Sequence, residues 1–269
     1  MRYLVLILIT ILIIPPCFAE VINVPDDFET IQGAINESED GDTVLVDEGV
    51  YRENLNFWGI QILLASRFIF EEDTNLIEET VIDGNREGSV ITMTNGEPEG
   101  TEIIGLTIRN GAGTRVDIDD EEWYFCGAGV FAIDASPTFR SCVITNNRID
   151  DERSRASGVY IDGGSARFIN CLTADNSPGG LSAKNASVEL TGCRFIYDSA
   201  GINGGEDREI IVRNCLFSGN GLGLRSSDIT VEDCVFREND SGLSLGSTTG
   251  DVTGCSFIEI DGNALSLSN

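Results

Sequence analysis

The sequence predicts an all-β solenoid, in which short strands wind into coils that stack on one another. Six cysteines between residues 142 and 255 recur at intervals of 29, 22, 22, 19 and 21 residues. Apolar and polar residues alternate around them, and an apolar residue stands three positions before each one. A repeat of this length with period-two alternation inside it is typical of stacked β-coils. These residues, the cysteine row, are Cys142, Cys171, Cys193, Cys215, Cys234 and Cys255.

Two further rows keep step with the cysteine row. We expect the phenylalanines two positions after the last four cysteines to stack as a column in the core. We expect the residues five positions after each cysteine to bond from coil to coil, with left-handed backbone at their own turn. The residues at this position are Ile144, Thr173, Phe195, Phe217, Phe236 and Phe257, and the four phenylalanines are the core column. The asparagine row is Asn147, Asn176, Asp198, Asn220 and Asn239, and it breaks at Ile260 after the sixth cysteine.

The cysteine row is predicted to consist mostly of free thiols that fill the core. Stacked coils hold equivalent residues about 4.8 Å apart with parallel side chains, and this arrangement suits the disulfide torsion poorly. Cysteine is also a small apolar residue that is often buried. A metal site is the alternative, but the row is linear, the chain has no histidine, and no Cys-x-x-Cys pair is present.

Residues 1–19 are predicted to be a cleavable export signal. Arg2 precedes an apolar run at 3–14, and Cys17 to Ala19 offer small residues for cleavage before Glu20. A lipid anchor on Cys17 is disfavoured by the two prolines before it. No later apolar run reaches 18 residues, so we expect a secreted or cell-surface protein without a membrane span.

The remaining chain is predicted to be one domain, with an N-terminal cap and first coil at 20–54 and further coils at 55–269. Asp26 and Asp27 are expected to cap a helix over 28–38 that covers the open end of the first coil. Strands are predicted at 43–46, 59–66, 80–84, 89–94 and 102–108. Insertions at 114–126 and 150–157 interrupt the repeat, and such segments often carry the binding surface of a solenoid.

The charge balance is strongly acidic, with 45 acidic against 17 basic residues and a formal net charge of −28. Lys184 is the only lysine. Such a surface repels nucleic acid, so no nucleic-acid partner is expected. We interpret the acid excess first as solubility in a salty or cation-rich habitat, and second as a specific cation site.

The cap and the coils resemble right-handed parallel β-helix proteins of the pectin-lyase-like superfamily, of the exported bacterial type. The resemblance rests on the segments VPDDFETIQGAI at 24–35, DGDTV at 40–44, GVYREN at 49–54, VIDG at 81–84, IGLTIRNG at 104–111 and SPTFRSC at 136–142. It covers nearly all of the chain after the signal segment. It implies a single right-handed parallel β-helix with a capping helix, and it implies no particular activity, because one fold hosts many functions.

The catalytic signatures of related enzymes are missing from the sequence. Pectin methylesterases share the TIQ-x-A-I start, but their QDT, DFIFG and LGRPW segments have no counterpart. Polygalacturonases require a histidine segment, and pectate lyases combine calcium with basic residues, of which this chain has few. No catalytic residue is therefore assigned from the resemblance.

The first insertion is the candidate ligand site. Its carboxylates match the oxygen ligands of calcium, and its aromatic residues could stack on a sugar. The alternatives are a solvated acidic loop anchored by its aromatics, and glycoside hydrolysis by paired carboxylates. The candidate ligand-binding residues are Asp117, Asp119, Asp120, Glu121, Glu122, Trp123 and Tyr124, with Asp117, Asp119 and Glu121 as calcium ligands.

The second candidate site is the second insertion together with Arg148 just before it, and its charged residues are Arg148, Asp150, Asp151, Glu152, Arg153 and Arg155. Its mixed charges indicate a loop held by ion pairs. If it lies beside the first insertion, the two are expected to build a cleft.

These observations favour a secreted, non-catalytic protein that interacts with a polysaccharide or serves the cell surface structurally. A hydrolase or lyase that uses the carboxylates of 114–126 is the alternative, and a structural module of a larger protein is a third hypothesis. The sequence ends at Asn269 within the strand pattern of the last coil, and no capping element follows it. We therefore expect either a longer protein or a last coil that docks on a partner domain or on another copy.

Overall fold

The structure, a computed structural model, describes residues 19–117, 122–156, 158–204, 208–226, 229–245 and 250–267. The proposed signal segment up to residue 18 lies outside these ranges. Within them the chain is a parallel β-helix, in which each coil contributes a strand to sheet A, then to sheet B, then to sheet C. Among the residues described, no helix has the length and apolar character needed to cross a bilayer.

Strands are numbered in chain order. Sheet A contains β1 (Val21–Val24), β2 (Thr43–Val46), β5 (Leu63–Ser66), β8 (Glu102–Ile104), β13 (Thr138–Arg140), β17 (Ser165–Ile169), β20 (Ser187–Thr191), β23 (Ile210–Arg213), β26 (Ile229–Glu232) and β29 (Val252–Thr253). Sheet B contains β3 (Gly49–Arg52), β6 (Thr80–Asp83), β9 (Thr107–Arg109), β14 (Val143–Thr145), β18 (Leu172–Ala174), β21 (Arg194–Ile196), β24 (Leu216–Ser218), β27 (Val235–Arg237) and β30 (Ser256–Ile258). Sheet C contains β4 (Leu55–Asn56), β7 (Ile91–Met93), β12 (Val130–Ile133), β16 (Val159–Asp162), β19 (Leu181–Lys184), β22 (Ala200–Gly204), β25 (Leu222–Ser226), β28 (Ser241–Leu245) and β31 (Leu265–Leu267).

Residues with left-handed backbone turn the chain at two corners of each coil. One stands directly before each cysteine of the row and one stands four positions after it. The first set is Ser141, Asn170, Gly192, Asn214, Asp233 and Gly254. The second set is Asn146, Asp175, Tyr197, Gly219, Glu238 and Glu259. The expectation that the asparagine row itself is left-handed is therefore wrong by one residue. The preceding residue makes the turn, and this directs the asparagine side chain into the interior.

The asparagine row bonds from coil to coil, as predicted. The main-chain N–H and the Nδ2 of Asn147 both donate to Oδ1 of Asn176 at 3.1 Å. Nδ2 of Asn147 also donates to the carbonyl of Ile108 at 3.2 Å. Asn220 repeats this arrangement with Asn239. Each amide thus satisfies buried main-chain groups in two neighbouring coils, which is what burial of polar atoms requires.

The core column forms as predicted. The rings of Phe195, Phe217, Phe236 and Phe257 stack with centroids 4.8 to 5.0 Å apart and planes within 11° of parallel. The cysteine row lies beside it, and all seven cysteines among the described residues are free. They are buried except Cys255, which is partly buried because it belongs to the last coil described. Burial raises the pKa of the Cys171 thiol well above its usual value.

We expect thiol titration of the native protein to label Cys255 first and to leave Cys126 and the rest of the row unreactive until the protein is denatured. The reason is that a reagent reaches a thiol only where it is exposed, and Cys255 is the one described cysteine that is not fully buried. A Cys255→Ala variant, as the control, should lose only the early reacting thiol. Recovery of intramolecular disulfides within the row would contradict the free-thiol assignment.

The N-terminal cap is helix α1 (Ile31–Glu37), which buries Ile31, Ala34 and Ile35 against the first coil. The predicted caps Asp26 and Asp27 are wrong, because Thr30 accepts a hydrogen bond from the N–H of Gly33. The carboxylate of Asp27 accepts instead from the N–H of Asn23 at 2.7 Å. This hydrogen bond lowers the pKa of Asp27 and closes the turn before the helix.

The motifs that mark the cap have a shared structural role. The carboxylate of Glu53 accepts from the N–H groups of Ile31 and Gln32, both at 2.9 Å, and so satisfies the first turn of α1. The Gln32 amide then pairs with the backbone of Asn56, accepting from its N–H at 2.7 Å and donating to its carbonyl at 3.0 Å. The side chain of Gln32 therefore occupies the open edge of β4, the first strand of sheet C.

Other element boundaries differ from the prediction. The strand expected at 102–108 divides into β8 and β9, because Gly105 has left-handed backbone (φ 69°) and turns the chain from sheet A to sheet B. The strand at 59–66 shortens to β5, since a turn occupies its start. Helices α2 (Phe68–Glu71) and α3 (Asn75–Glu79) were not expected. Leu76 and Ile77 of α3 are buried, and the Ile77 carbonyl accepts from the Thr107 hydroxyl of sheet B.

Candidate functional site

The two insertions meet in a small sheet, sheet D, which lies outside the helix. The first insertion forms a hairpin of β10 (Thr114–Asp117) and β11 (Trp123–Cys126), and the second contributes β15 (Ser154–Ala156). β10 pairs antiparallel with β11, and β11 pairs parallel with β15. The insertions are therefore neighbours, as the cleft hypothesis required, but they join as one continuous sheet.

The inner face of sheet D packs on the outer face of sheet C. Tyr124 and Cys126 are buried against Phe131 and Tyr160, which project from β12 and β16. The hydroxyls of Tyr124 and Tyr160 lie 3.3 Å apart, and the Tyr160 hydroxyl also donates to Oδ2 of Asp162 at 3.2 Å. Burial raises the pKa of Tyr160. Tyr124 thus anchors the hairpin, and its ring is not available for stacking on a ligand.

The outer face of sheet D presents Trp123 between two guanidinium groups. Cζ of Arg115 lies 4.8 Å and Cζ of Arg153 lies 4.2 Å from the Trp123 ring centroid. β10, which contains Arg115, and β15, which Arg153 directly precedes, pair with β11 on opposite sides, so the two cations come from different neighbours of the strand that carries Trp123. Nε of Arg115 also donates to Asp117 at 2.7 Å. Phe125 meets the Trp123 ring edge-on at 5.6 Å.

The acidic part of the predicted site is only partly described. Asp119, Asp120 and Glu121 lie outside the described residues, and Glu122 is exposed. Asp117 is ion-paired with Arg115. Across the described ranges, no three acidic or cysteine side chains are grouped so as to hold a metal ion. The calcium site and the ligand-binding role of 117–124 therefore stay predictions.

Beyond sheet D, the outer face of sheet C carries an open groove of about 200 Å³. One row along it is polar, because Ser182 pairs in register with Asn203, and Asn203 pairs with Arg225. A parallel row is apolar and is formed by Ala200 and Leu222. Pro178, Gly179 and Leu181 complete the lining. Neighbouring strands lie about 4.8 Å apart, so the polar groups repeat at that spacing along the helix axis.

The flank of the groove is joined to the anchor of sheet D. Lys184, two residues after Ser182, donates to Oδ2 of Asp162 at 2.8 Å, and Nδ2 of Asn185 donates to its Oδ1 at 3.0 Å. Asp162 also accepts from Tyr160, as described above. The only lysine of the chain is thus fixed between the groove and the hairpin.

The groove residues were not predicted from the sequence, although their spacing from glycines could have indicated them. Each polar residue stands two positions after a glycine that lies within one residue of the start of its strand: Gly180 before Ser182, Gly201 before Asn203 and Gly223 before Arg225. These glycines are required by close packing, because a Cβ on Gly201 would lie 2.4 Å from the carbonyl oxygen of Gly223. Aligning the coils on the glycines would have exposed the polar row.

The comparisons with known proteins agree with this architecture. Residues 128–269 match the family described as the right handed beta helix region, and the chain belongs to that family. A pectin methylesterase from Aspergillus niger is 13% identical, with a TM-score of 0.55 over 93% of this chain and 90% of that one. A mannuronic acid specific polysaccharide family 6 lyase from human gut microbiota is 14% identical, with a TM-score of 0.51 over 89% of this chain and 59% of that one. These likenesses define the fold. No curated protein sequence matches the chain.

Proposed function

We propose that this chain is an exported, non-catalytic β-helix protein that binds a polysaccharide along the outer face of sheet C. The observation that carries the proposal is the polar row of Ser182, Asn203 and Arg225 beside the apolar row of Ala200 and Leu222. A polysaccharide is a linear repeating ligand, and stacked coils offer it a linear repeating set of contacts. The leader-like segment at 1–19 supports export.

The chemistry of the groove suits a sugar chain. Leu222, Ala200 and Pro178 offer an apolar surface to the C–H face of a pyranose. Ser182 and Asn203 can donate to and accept from hydroxyls, and Arg225 offers several donors in a fixed plane. Arg225 is exposed and has no ion-pair partner within the described part of the chain. Two solved proteins with this fold, a pectin methylesterase and a polysaccharide lyase, carry names that associate the fold with polysaccharides.

Binding without catalysis is supported by what the groove contains. Glycoside cleavage commonly needs two carboxyl groups on either side of the scissile bond. The described residues that line the groove are Pro178, Gly179, Leu181, Ser182, Ala200, Asn203, Leu222 and Arg225, and these include no carboxylate. Asp198, whose pKa is raised by burial to about 7, lies inside the helix and is bonded to Thr173 and Asn176. Among the described residues, a sugar in the groove therefore meets hydrogen-bonding groups and no pair of carboxylates.

The proposal is tested by binding of defined hexasaccharides, namely hexagalacturonate, hexamannuronate, cellohexaose and xylohexaose, measured by calorimetry. The double variant Asn203→Ala/Arg225→Ala is expected to weaken binding of the preferred sugar at least about tenfold, because it removes a charged and a neutral hydrogen bond. Arg194→Ala removes the same charge from the exposed face of sheet B and serves as the matched control, with unchanged affinity expected.

Two outcomes would overturn the proposal. Equal affinity of the double variant and the wild type would remove the groove from the binding surface. Release of reducing ends or of unsaturated sugars during incubation would show turnover and favour the hydrolase or lyase hypothesis.

A further inference from the structure

A tight turn at the N-terminal end of the molecule carries a large aromatic residue where the backbone disfavours one. The N–H of Ile60 donates to the carbonyl of Phe57 at 3.2 Å, and the two central residues, Trp58 and Gly59, have φ of 56° and 83°. Two successive positive φ angles define a turn that favours Asn and Gly at these positions. A bulky residue with left-handed backbone is strained, and such strain often marks a functional position.

Burial does not explain Trp58. Its side chain is 59% exposed, whereas the preceding Phe57 is completely buried and holds the turn on the core. The turn is also held at Gly59, whose N–H donates to the buried carboxylate of Glu97 at 3.0 Å. The fold therefore obtains its anchoring from the neighbours of Trp58 and gains little from the indole itself.

The indole is nevertheless held in one orientation. Its Nε1 donates to Oδ1 of Asn36 at 3.2 Å, and its main-chain N–H donates to Oδ1 of Asn56 at 2.9 Å. Oδ1 of Asn36 also accepts from Gln32, which is fixed on the backbone of Asn56. A ring that is oriented before binding loses little conformational freedom when a ligand stacks on it.

We propose that Trp58 is the stacking platform of a second sugar site, which accepts a neutral pyranose. The apolar face of the indole fits the C–H face of a pyranose ring, and the Asn36 amide beside it can bond to hydroxyls. Exposed Glu37 follows Asn36 in helix α1, and this helix contains no basic residue, so an anionic sugar is disfavoured. This site is separate from the groove. On sheet C, Phe131 and Tyr160 lie between Asn56 and the polar row of the groove, and sheet D covers both of them.

The test uses the two tryptophans of the chain. In a Trp123→Phe variant, Trp58 is the only tryptophan, and its emission is followed during titration with cellohexaose, xylohexaose, mannohexaose and hexagalacturonate. At least one neutral hexasaccharide is expected to produce a saturable blue shift, and hexagalacturonate none. Calorimetry with Trp58→Ala in the wild-type background should show at least about tenfold weaker binding of that neutral sugar. Phe70→Ala, which removes another exposed aromatic side chain, should bind as the wild type does.

A second variant separates a binding role from a structural one. Trp58→Asn places the residue that the turn favours, so its melting temperature should equal or exceed that of the wild type while sugar binding is lost. A clear fall in melting temperature, unchanged binding in Trp58→Ala, or a response to hexagalacturonate alone would each overturn the inference. Asn203→Ala/Arg225→Ala should retain the Trp58 response, so failure of the groove proposal is distinguishable from failure of this one.

Discussion

Replacing Asp198 by asparagine is expected to stabilise the protein at neutral and alkaline pH. Asp198 occupies a position of the asparagine row, is only 2% exposed, and has a pKa that burial raises to about 7. In the unfolded chain it titrates near pH 3.9. The folded state therefore holds a proton that the unfolded state has released, and stability falls as pH rises from about 4 to about 7, by up to ~1.4 kcal/mol per pH unit.

The surroundings of Asp198 explain why asparagine should fit. Oδ1 accepts from the N–H and from Nδ2 of Asn176, and Oδ2 accepts from the Thr173 hydroxyl at 2.8 Å. Asp175 is the charged neighbour that further raises the pKa of Asp198. An asparagine keeps the acceptor toward Asn176 and supplies the amide donor that the other members of the row have. Thr173 stands at the equivalent position one coil before the column of phenylalanines, and its hydroxyl thus compensates for the one carboxylate in the row.

The measurement is urea unfolding of wild type and Asp198→Asn at several pH values between 4.5 and 8.5. The advantage of the variant should be smallest at the acid end, should widen as pH rises, and should level above about pH 7 at a few kcal/mol. Asp240→Asn removes an equal charge from the exposed surface and should leave the wild-type profile in place. Parallel profiles for Asp198→Asn and wild type would show that Asp198 is ionised throughout and would contradict the prediction.

Replacing Phe217 by alanine is expected to lower the free energy of unfolding by about 3–5 kcal/mol, which is the usual cost of truncating a buried phenylalanine. Phe217 is completely buried and stacks between Phe195 at 5.0 Å and Phe236 at 4.8 Å. The cavity would lie between coils whose backbones are tied by parallel strand pairing, so the column cannot collapse to fill it. Equilibrium unfolding in urea measures the loss.

The matched control is Phe257→Ala, at the end of the same column. Phe257 stacks on Phe236 alone and is only partly buried. Its truncation should cost well under half as much as that of Phe217, since it removes less buried area and leaves no enclosed cavity. Equal losses at the two positions would show that the column does not stabilise the protein through stacked burial.

The repeat alone determined the interior of this protein. When residues of one kind recur at the coil period, stacking brings them into register, so the contacts inside the helix follow from spacing. The phenylalanine column, the buried free cysteines and the amide bonds of the asparagine row were predictable for this reason. The sequence also predicts the N-terminal cap, although Thr30 caps the helix in place of the predicted Asp26 and Asp27, and the Asp27 carboxylate bonds to Asn23.

The surface was decided only by the tertiary structure. Phe125 pairs with Ser154, which joins two insertions of successive coils in one sheet. No local sequence pattern predicts this pairing. That pairing covers Tyr160, places Arg115 and Arg153 beside Trp123, and leaves the row from Ser182 to Arg225 open. The turn at Trp58 was likewise not predictable, because a Trp-Gly pair in the sequence does not indicate a turn with two positive φ angles. Core contacts repeat in every coil, so the repeat length predicts them. These surface contacts occur only once and depend on which strands lie side by side in the folded protein.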